Sequence, residues 1–145
     1  MRTSEYGGLC TEIYDREDPE SRRHILDLYL RHWEDTQGPV LDAMCGPGNC
    51  LIPFMERGAD IDGVDASPHM LEALRRKGDA MGLSPRLYTQ LVQRLDLARK
   101  YGYVLIPDRS FALLSEIETA REGLRCLFDH LLPGGKLVLD QTEAA

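Results

Sequence analysis

Apolar and polar positions follow two different periods along the chain. Over residues 19–33 apolar side chains recur at helical spacing among charged ones, which predicts an amphipathic helix stopped by Gly38 and Pro39. The same period predicts helices over 49–57, from Ser67 to about 78–82, and over 115–132, the last ended by "PGG". Short, mostly apolar runs separate these segments, and they predict five strands at 40–43, 59–65, 86–91, 101–107 and 136–141.

The predicted strands alternate with helices, and several of the strands are continuously apolar. This order is typical of a parallel sheet that is covered on both faces. The sequence therefore predicts an α/β fold, a doubly wound parallel sheet of about five strands in a three-layer α/β/α arrangement. We expect a single domain over 1–145, with a helical cap at 1–38 and a core at 39–140.

Charge narrows the classes of partner. The formal net charge is −7, whereas a surface for nucleic acid or anionic lipid needs a basic face. No apolar run approaches the roughly 20 residues of a membrane span. We therefore expect a soluble, cytoplasmic protein whose partner is a small molecule, with neither nucleic acid nor membrane.

The cysteines and histidines do not suggest a metal site. The four cysteines form no CxxC pair and have no histidine at ligand spacing, so we interpret them as reduced thiols. Cys45 stands in a glycine turn, where a small apolar filler is a better interpretation than a reactive thiol.

The glycine turn around Cys45 is the strongest candidate for a ligand-binding site. In "VLDAMCGPGNC" a buried strand ends at Asp42, and Gly46 and Gly48 flank a proline before the next helix. In doubly wound sheets, ligands bind at the carboxyl ends of the strands. A dinucleotide fold would need a third glycine, which is absent, so a nicotinamide oxidoreductase is the weaker interpretation. Asp65, at the end of the second strand, could accept hydrogen bonds from both hydroxyls of any ribose.

Four segments together resemble class I S-adenosylmethionine-dependent methyltransferases. "VLDAMCGPGNCLIPF" is similar to the glycine motif of that family and "GVDASPHML" to its acidic ribose segment. "YGYVLIPDRSFALL" resembles the fourth strand and its loop, and "LLPGGKLVLD" the entry to the fifth strand. The resemblance implies a Rossmann-like methyltransferase fold, S-adenosylmethionine as cofactor and S-adenosylhomocysteine as product.

The resemblance also implies roles for particular residues. The methionine portion of the cofactor would be lined by Asp42, Gly46 and Gly48, and the ribose would be held by Asp65. Ala43 would also belong to the cofactor site. The adenine would be flanked by Ala66 and Met70 and recognised at its edge by Leu91 and Val92. Ile106, Pro107 and Ser110 would border the methyl group, and Tyr14 would cover the cofactor.

Two positions depart from the family pattern. Met44 replaces a frequent glycine, at a cost of about 1 kcal/mol if the backbone there is left-handed. Leu91 replaces an acid that often accepts a hydrogen bond from the adenine amino group, and the loss of that bond is worth roughly 1 kcal/mol. We therefore expect cofactor binding that is weakened but retained.

The resemblance implies methyl transfer to a small molecule, because the [DN]-P-P-[YF] signature of enzymes that methylate exocyclic base or amide nitrogens is absent. The catalytic base is unassigned, with His69, Tyr103 and Asp108 as candidates. The family usually continues beyond the fifth strand, and this chain has few residues after it. The alternative is therefore a non-catalytic or truncated cofactor-binding domain that works through a partner, or as a homodimer joined at the fifth-strand edge.

Overall fold

A computed structural model describes residues 19–141, and within them the helices and strands follow the predicted order. The helices are α1 (Pro19–Trp33), α2 (Leu51–Glu56), α3 (Pro68–Ala80) and α4 (Ile117–Asp129). The strands are β1 (Val40–Ala43), β2 (Ile61–Asp65), β3 (Arg86–Thr89), β4 (Tyr101–Ile106) and β5 (Leu131–Leu139). Short 3-10 turns follow β3 (Val92–Arg94) and β4 (Ser110–Leu113). Tyr14 and Cys10 lie outside the described residues.

The five strands form one parallel sheet in the order β3-β2-β1-β4-β5. Asp42 on β1 lies opposite Gly63 on β2 and Leu105 on β4. The chain therefore winds away from β1 in one direction as far as β3 and in the other direction from β4 to β5. The predicted fold class is confirmed, and the reversal beside β1 is where such sheets leave a crevice for a ligand.

Alternate residues of the central strands face two separate apolar clusters. Val40, Tyr103 and Leu105 belong to a cluster that includes side chains of α1, α2 and α3. Leu41 and Val104 belong to a second cluster, completed by α4 and the 3-10 turns. Because successive side chains of a strand point to opposite faces, the sheet is covered on both sides and the three-layer arrangement is confirmed.

The start of α3 is fixed by local chemistry. The Ser67 hydroxyl accepts a hydrogen bond of 3.3 Å from the amide of Met70, and Pro68 occupies the first turn. Met70, Leu71 and Leu74 are buried and form the inner face of this helix.

The predicted boundary between α4 and β5 is wrong. The helix does not continue to residue 132, and "PGG" does not end it; α4 ends at Asp129 and β5 already begins at Leu131. The amide of Tyr101 donates to the carbonyl of His130 at 2.7 Å, which draws the chain into the sheet immediately after the helix. Between the paired residues Tyr101–Leu131 and Tyr103–Lys136 the register shifts, and this irregularity accommodates Pro133 and the glycines.

The other strand ends differ from the prediction by at most two residues, as at β3, which ends at Thr89. Over residues 19–141 no helix combines the length and the apolar character that a membrane crossing requires. The same residues contain no cluster of three or more potential ligands that could hold a metal ion.

Candidate functional site

The turn after β1 is held against α3. Gly46 and Gly48 have φ values of 55° and 90°, which glycine adopts at little cost. A Cβ on Gly48 would lie 2.2 Å from Cδ1 of Leu74, and the ammonium of Lys77 donates to the carbonyl of Pro47 at 3.0 Å. The bare backbone of this turn therefore serves the packing of α3 at Gly48 and leaves Gly46 open to the crevice.

Met44 opens the turn in a left-handed conformation, with φ of 61°. The position therefore has the backbone for which a glycine was expected. A residue with a Cβ costs about 1–2 kcal/mol there. The half-buried Met44 side chain contacts the second apolar cluster, which offsets part of that cost.

Asp65 joins the two loops at the ends of β1 and β2. One carboxylate oxygen accepts a hydrogen bond of 2.8 Å from the amide of Gly46, and the other accepts one of 2.8 Å from the amide of Ser67. Burial raises the pKa of Asp65 above its usual value, while these amides act in the opposite direction.

A pocket opens over the carboxyl ends of the strands, as expected at the reversal of winding. The space within it is about 770 Å³, a figure that includes solvent at its mouth. Its lining consists of Met44, Gly46, Asp65, Ala66, Met70, Gln90, Leu91, Val92, Gln93, Asp108, Arg109, Ser110, Leu113 and Leu114.

The loop after β4 forms one wall of the pocket and is unusually constrained. Asp108 and Arg109 are both left-handed, with φ of 60° and 57°. The amide of Arg109 donates to a carboxylate oxygen of Asp140 at 3.0 Å, and the other oxygen lies 2.5 Å from the hydroxyl of Tyr29. A side chain from α1 and the residue that follows β5 thus hold this wall in place.

The segment after β3 forms another wall of the pocket. The side-chain amide of Gln90 bridges to the backbone of Asp96: it donates to the Asp96 carbonyl at 3.0 Å and accepts from the Asp96 amide at 2.9 Å. These two bonds hold residues 90 and 96 of this segment together. Leu91 and Val92 present apolar surface, and Gln93 completes the wall.

Comparison with known proteins identifies the family. Residues 40–135 match the family described as "Methyltransferase domain", which is more than half of the chain. The chain belongs to this family. By sequence and fold it is a class I S-adenosylmethionine-dependent methyltransferase domain, which confirms the resemblance found in its motifs.

Curated relatives share about a third of the aligned residues. A demethylmenaquinone methyltransferase of Thermus thermophilus is 32% identical over 120 residues, which cover 81% of this chain and 52% of the relative. A trans-aconitate 2-methyltransferase of Methylobacterium radiotolerans is 30% identical over 135 residues, covering 90% and 48%. The chain thus spans about half the length of the curated relatives it matches.

Solved structures have the same fold. The sugar N-methyltransferase KedS8 of Streptoalloteichus superposes with a TM-score of 0.74 at 26% identity, over 98% of this chain and 58% of that one. The CcbJ methyltransferase of Streptomyces caelestis gives a TM-score of 0.77 at 24% identity, over 96% and 58%.

The methyltransferase domain brings six of the predicted cofactor residues together around its pocket: Gly46, Asp65, Ala66, Met70, Leu91 and Val92. Ser110, predicted beside the methyl group, also lines it. Five other predicted residues are buried and do not line the pocket: Asp42, Ala43, Gly48, Ile106 and Pro107. Tyr14 lies beyond the described residues.

Several lining residues were not found from the sequence. Gln90 was missed because 86–91 was interpreted as one strand, and Gln93 because it lies beyond that strand, where no motif was recognised. Arg109, Leu113 and Leu114 lie in the segment matched to the fourth strand and its loop, but no role was assigned to them there. The adjacent polar residues in "TQLVQR" were the one available signal for Gln90 and Gln93.

Of the three candidate bases, only Asp108 lines the pocket. His69 is an exposed residue of α3 outside the lining. Tyr103 is fully buried and donates to the carbonyl of Tyr29 at 2.9 Å, and burial raises the pKa of its hydroxyl, so it is poorly suited to accept a proton.

Two buried groups lie beneath the pocket. Asp42 is fully buried, and neither of its oxygens has a hydrogen-bond partner among residues 19–141; burial raises its pKa well above the usual value. Cys45 is 5% exposed, and burial raises the pKa of its thiol, as expected for an apolar filler.

Proposed function

We propose that this chain binds S-adenosylmethionine in the pocket at the carboxyl ends of β1 to β4 and transfers its methyl group to a small molecule. The observation that carries the proposal is the placement of Asp65 beside Gly46. A carboxylate that could accept ribose hydroxyls and a backbone without a side chain lie together at the crevice, in a chain of the methyltransferase family.

The rest of the lining suits the same ligand. Ala66, Met70, Leu91 and Val92 present apolar surface on the β2 and β3 side, where a flat adenine ring could be buried. Gly46 leaves room for the methionine portion, and the Asp65 carboxylate has acceptor capacity beyond the two amides it already holds.

S-adenosylmethionine supplies a methyl group on a positively charged sulfur, so the carbon is already electrophilic. The protein mainly has to hold the acceptor in line with that carbon. The constrained loop of Asp108, Arg109 and Ser110 would do this from the β4 side. Some acceptors must lose a proton before they receive the methyl group. Asp108 is the candidate base for them, because among the lining residues of this loop it is the one that carries a carboxylate.

A small-molecule acceptor is supported by the relatives and by charge. The named relatives methylate demethylmenaquinone and trans-aconitate, and KedS8 is a sugar N-methyltransferase. The net charge of −7 disfavours a nucleic-acid substrate. A cytoplasmic location and a homodimer joined at the edge of β5 remain predictions; β5 is one of the two edge strands of the sheet among residues 19–141, and β3 is the other.

The test is calorimetric titration of the 145-residue chain with S-adenosylhomocysteine, with NADH as the negative control. We expect micromolar binding of the first ligand and none of the second. Transfer of labelled methyl groups to a panel of small acids, amines and quinols then tests the activity. No binding of S-adenosylhomocysteine would contradict the proposal, and binding without transfer would favour the non-catalytic domain instead.

A further inference from the structure

We propose that Asp140 is a positioning residue for methyl transfer, because its carboxylate holds the loop after β4 in the conformation in which Asp108 and Ser110 line the pocket. The inference rests on the proposed function and concerns a side chain that does not itself line the pocket. It arises from two strained residues on the pocket wall and from a distant carboxylate that meets their backbone.

The loop after β4 makes a tight turn through left-handed residues. The amide of Ser110 donates to the carbonyl of Pro107 at 3.2 Å, and the two residues between them, Asp108 and Arg109, have φ of 60° and 57°. Positive φ at both central positions is typical of a type I′ turn, in which glycine, asparagine and aspartate dominate. Arginine at the second position is unfavourable because of its Cβ. Such strain persists only where the surrounding structure enforces it, and it is concentrated at functional sites.

The register of the sheet brings Asp140 beside this turn. Ile106, the last residue of β4, pairs with Leu139 of β5, so the residues that follow the two parallel strands leave the sheet side by side. The amide of Arg109 donates to one carboxylate oxygen of Asp140 at 3.0 Å, across 31 positions of sequence. The bond that closes the turn does not use this amide. Asp140 therefore supplies an acceptor at the strained residue itself.

Asp140 is supported in turn by Tyr29 of α1. The other carboxylate oxygen lies 2.5 Å from the hydroxyl of Tyr29, which is also 2.8 Å from the carbonyl of Ile106. Tyr29 is fully buried, and its own carbonyl accepts a hydrogen bond of 2.9 Å from the hydroxyl of Tyr103. Helix α1 thus fixes the carboxylate, and the carboxylate fixes the turn.

The turn carries the side chains that the proposed reaction needs on this wall. Asp108, Arg109 and Ser110 line the pocket, and Asp108 is the candidate base. The residues proposed to hold the adenosine lie on the segments after β2 and β3 instead. A displaced turn would therefore misalign the acceptor while the cofactor stays bound, and a misplacement of about 1 Å can cost about a hundredfold in rate.

The test is steady-state methyl transfer by the 145-residue chain. It uses saturating S-adenosylmethionine and the acceptor that the unchanged chain methylates fastest among small acids, amines and quinols. Calorimetry with S-adenosylhomocysteine measures cofactor binding for each variant. Asp140 is only partly buried, and circular dichroism establishes that its variants fold.

Two substitutions at position 140 separate the contacts of the side chain from its charge. Asp140→Ala removes both contacts. Asp140→Asn can keep both, because its oxygen can accept from the Arg109 amide while its nitrogen donates to the Tyr29 hydroxyl. Asp129→Ala, which changes an exposed acid at the end of α4, is the matched control.

We expect Asp140→Ala to lower kcat about tenfold to a hundredfold and to leave the affinity for S-adenosylhomocysteine nearly unchanged. Asp140→Asn and Asp129→Ala should keep kcat close to that of the unchanged chain. Hydrogen exchange over residues 107–110 should accelerate in Asp140→Ala, because the Arg109 amide loses its acceptor.

A second comparison tests whether Asp140 acts through the strained turn. Glycine adopts positive φ at little cost, so a turn with Arg109→Gly needs less support. The fall in kcat caused by Asp140→Ala should therefore be much smaller in the Arg109→Gly background than in the unchanged chain. The same fold-change in both backgrounds would mean that Asp140 acts independently of the turn, and would overturn the proposal.

Full kcat in a folded Asp140→Ala variant would also overturn the positioning role, as would a parallel loss of kcat and of S-adenosylhomocysteine affinity; both results leave the proposed function intact. Equal damage in Asp140→Asn would assign the effect to the charge of Asp140 and contradict the role of its two contacts. If the unchanged chain binds S-adenosylhomocysteine but methylates no acceptor, the positioning role and the proposed transfer step both fail. Failure to bind S-adenosylhomocysteine would overturn the proposed function as a whole.

Discussion

The carboxylate of Asp65, at the end of β2, accepts a hydrogen bond of 2.8 Å from the amide of Gly46 in the turn after β1. Its second oxygen holds the amide of Ser67, which caps α3. One side chain therefore organises two loops of the pocket before any ligand arrives. A ribose would meet a carboxylate whose orientation is already set, which reduces the entropic cost of binding.

We expect Asp65→Ala to lower the affinity for S-adenosylhomocysteine by at least about tenfold and to destabilise the fold by about 1–3 kcal/mol, since two buried amides lose their acceptor. Asp65→Asn keeps one acceptor oxygen, so it should be destabilised less than Asp65→Ala. Its affinity for S-adenosylhomocysteine should fall about as much as that of Asp65→Ala. Urea unfolding and calorimetry measure the two effects. Asp79→Ala, an exposed acid on α3, is the control and should change neither. Undiminished affinity in a folded Asp65→Asn variant would exclude the ribose role.

Leu91→Asp should tighten the binding of S-adenosylhomocysteine several-fold, because it adds an acceptor on the adenine side worth about 1 kcal/mol. Leu91 is only partly buried, so the charge is tolerable there. Leu113→Asp places the same charge on the wall after β4 and should bring no gain. If both variants tighten binding equally, the gain is a general effect of charge and position 91 has no special relation to adenine.

Strong local signals in the sequence were sufficient for much of the fold. β1 was predicted at Val40–Ala43 and α1 at Pro19–Trp33, and both have these bounds in the structure. For both elements, the spacing of apolar residues and the neighbouring turn residues indicate the same bounds. Ser67 followed by Pro68 fixed the start of α3 for the same reason, because a side-chain cap acts within a few residues of sequence.

Features set by contacts between distant segments could not be predicted. The start of β5 depends on a hydrogen bond from Tyr101 to His130, and the backbone of Arg109 on its bond to Asp140. Gln93 has no distinguishing pattern in the sequence, and only the structure shows that it lines the pocket and that its buried oxygen has no partner among residues 19–141. Of the residues that line the pocket, the motif-based prediction therefore found most at Asp65, Ala66 and Met70, and fewest on the walls after β3 and β4.

Gly102→Ala should be among the most damaging single changes in the core. A Cβ at this position would lie 1.6 Å from the carbonyl oxygen of Gln37, and a backbone atom cannot move aside as a side chain can. We expect a loss of more than about 3 kcal/mol in the free energy of unfolding, measured in urea. Gly123→Ala is the matched control: its Cβ would be 3.1 Å from Cδ1 of Leu114, which can shift, and alanine favours the helix. Equal stability of the two variants would contradict this distinction.

Asp42 makes the stability of the chain depend on pH in a direction opposite to that of most carboxylates. Its pKa is raised well above 3.8 because burial disfavours the charged form, with the charges of Asp108 and Asp65 adding to the effect. The folded state therefore holds this proton more tightly than the unfolded state does. The resulting stabilisation is complete below pH 3.8 and is lost as the pH rises through the raised pKa.

Asp42→Asn removes this titration while keeping the size of the side chain, so the variant should gain stability over the unchanged chain as the pH rises from 5 to 8. The difference in the free energy of unfolding should grow by up to about 1.4 kcal/mol per pH unit until the raised pKa is passed. Urea unfolding at several pH values measures it. Asp35→Asn is the control. Lys136 lowers the pKa of this exposed acid, so Asp35 titrates below pH 5. The difference in the free energy of unfolding between Asp35→Asn and the unchanged chain should therefore stay constant from pH 5 to 8. A constant difference for Asp42→Asn as well would mean that the folded state keeps Asp42 ionised, with a partner for its charge.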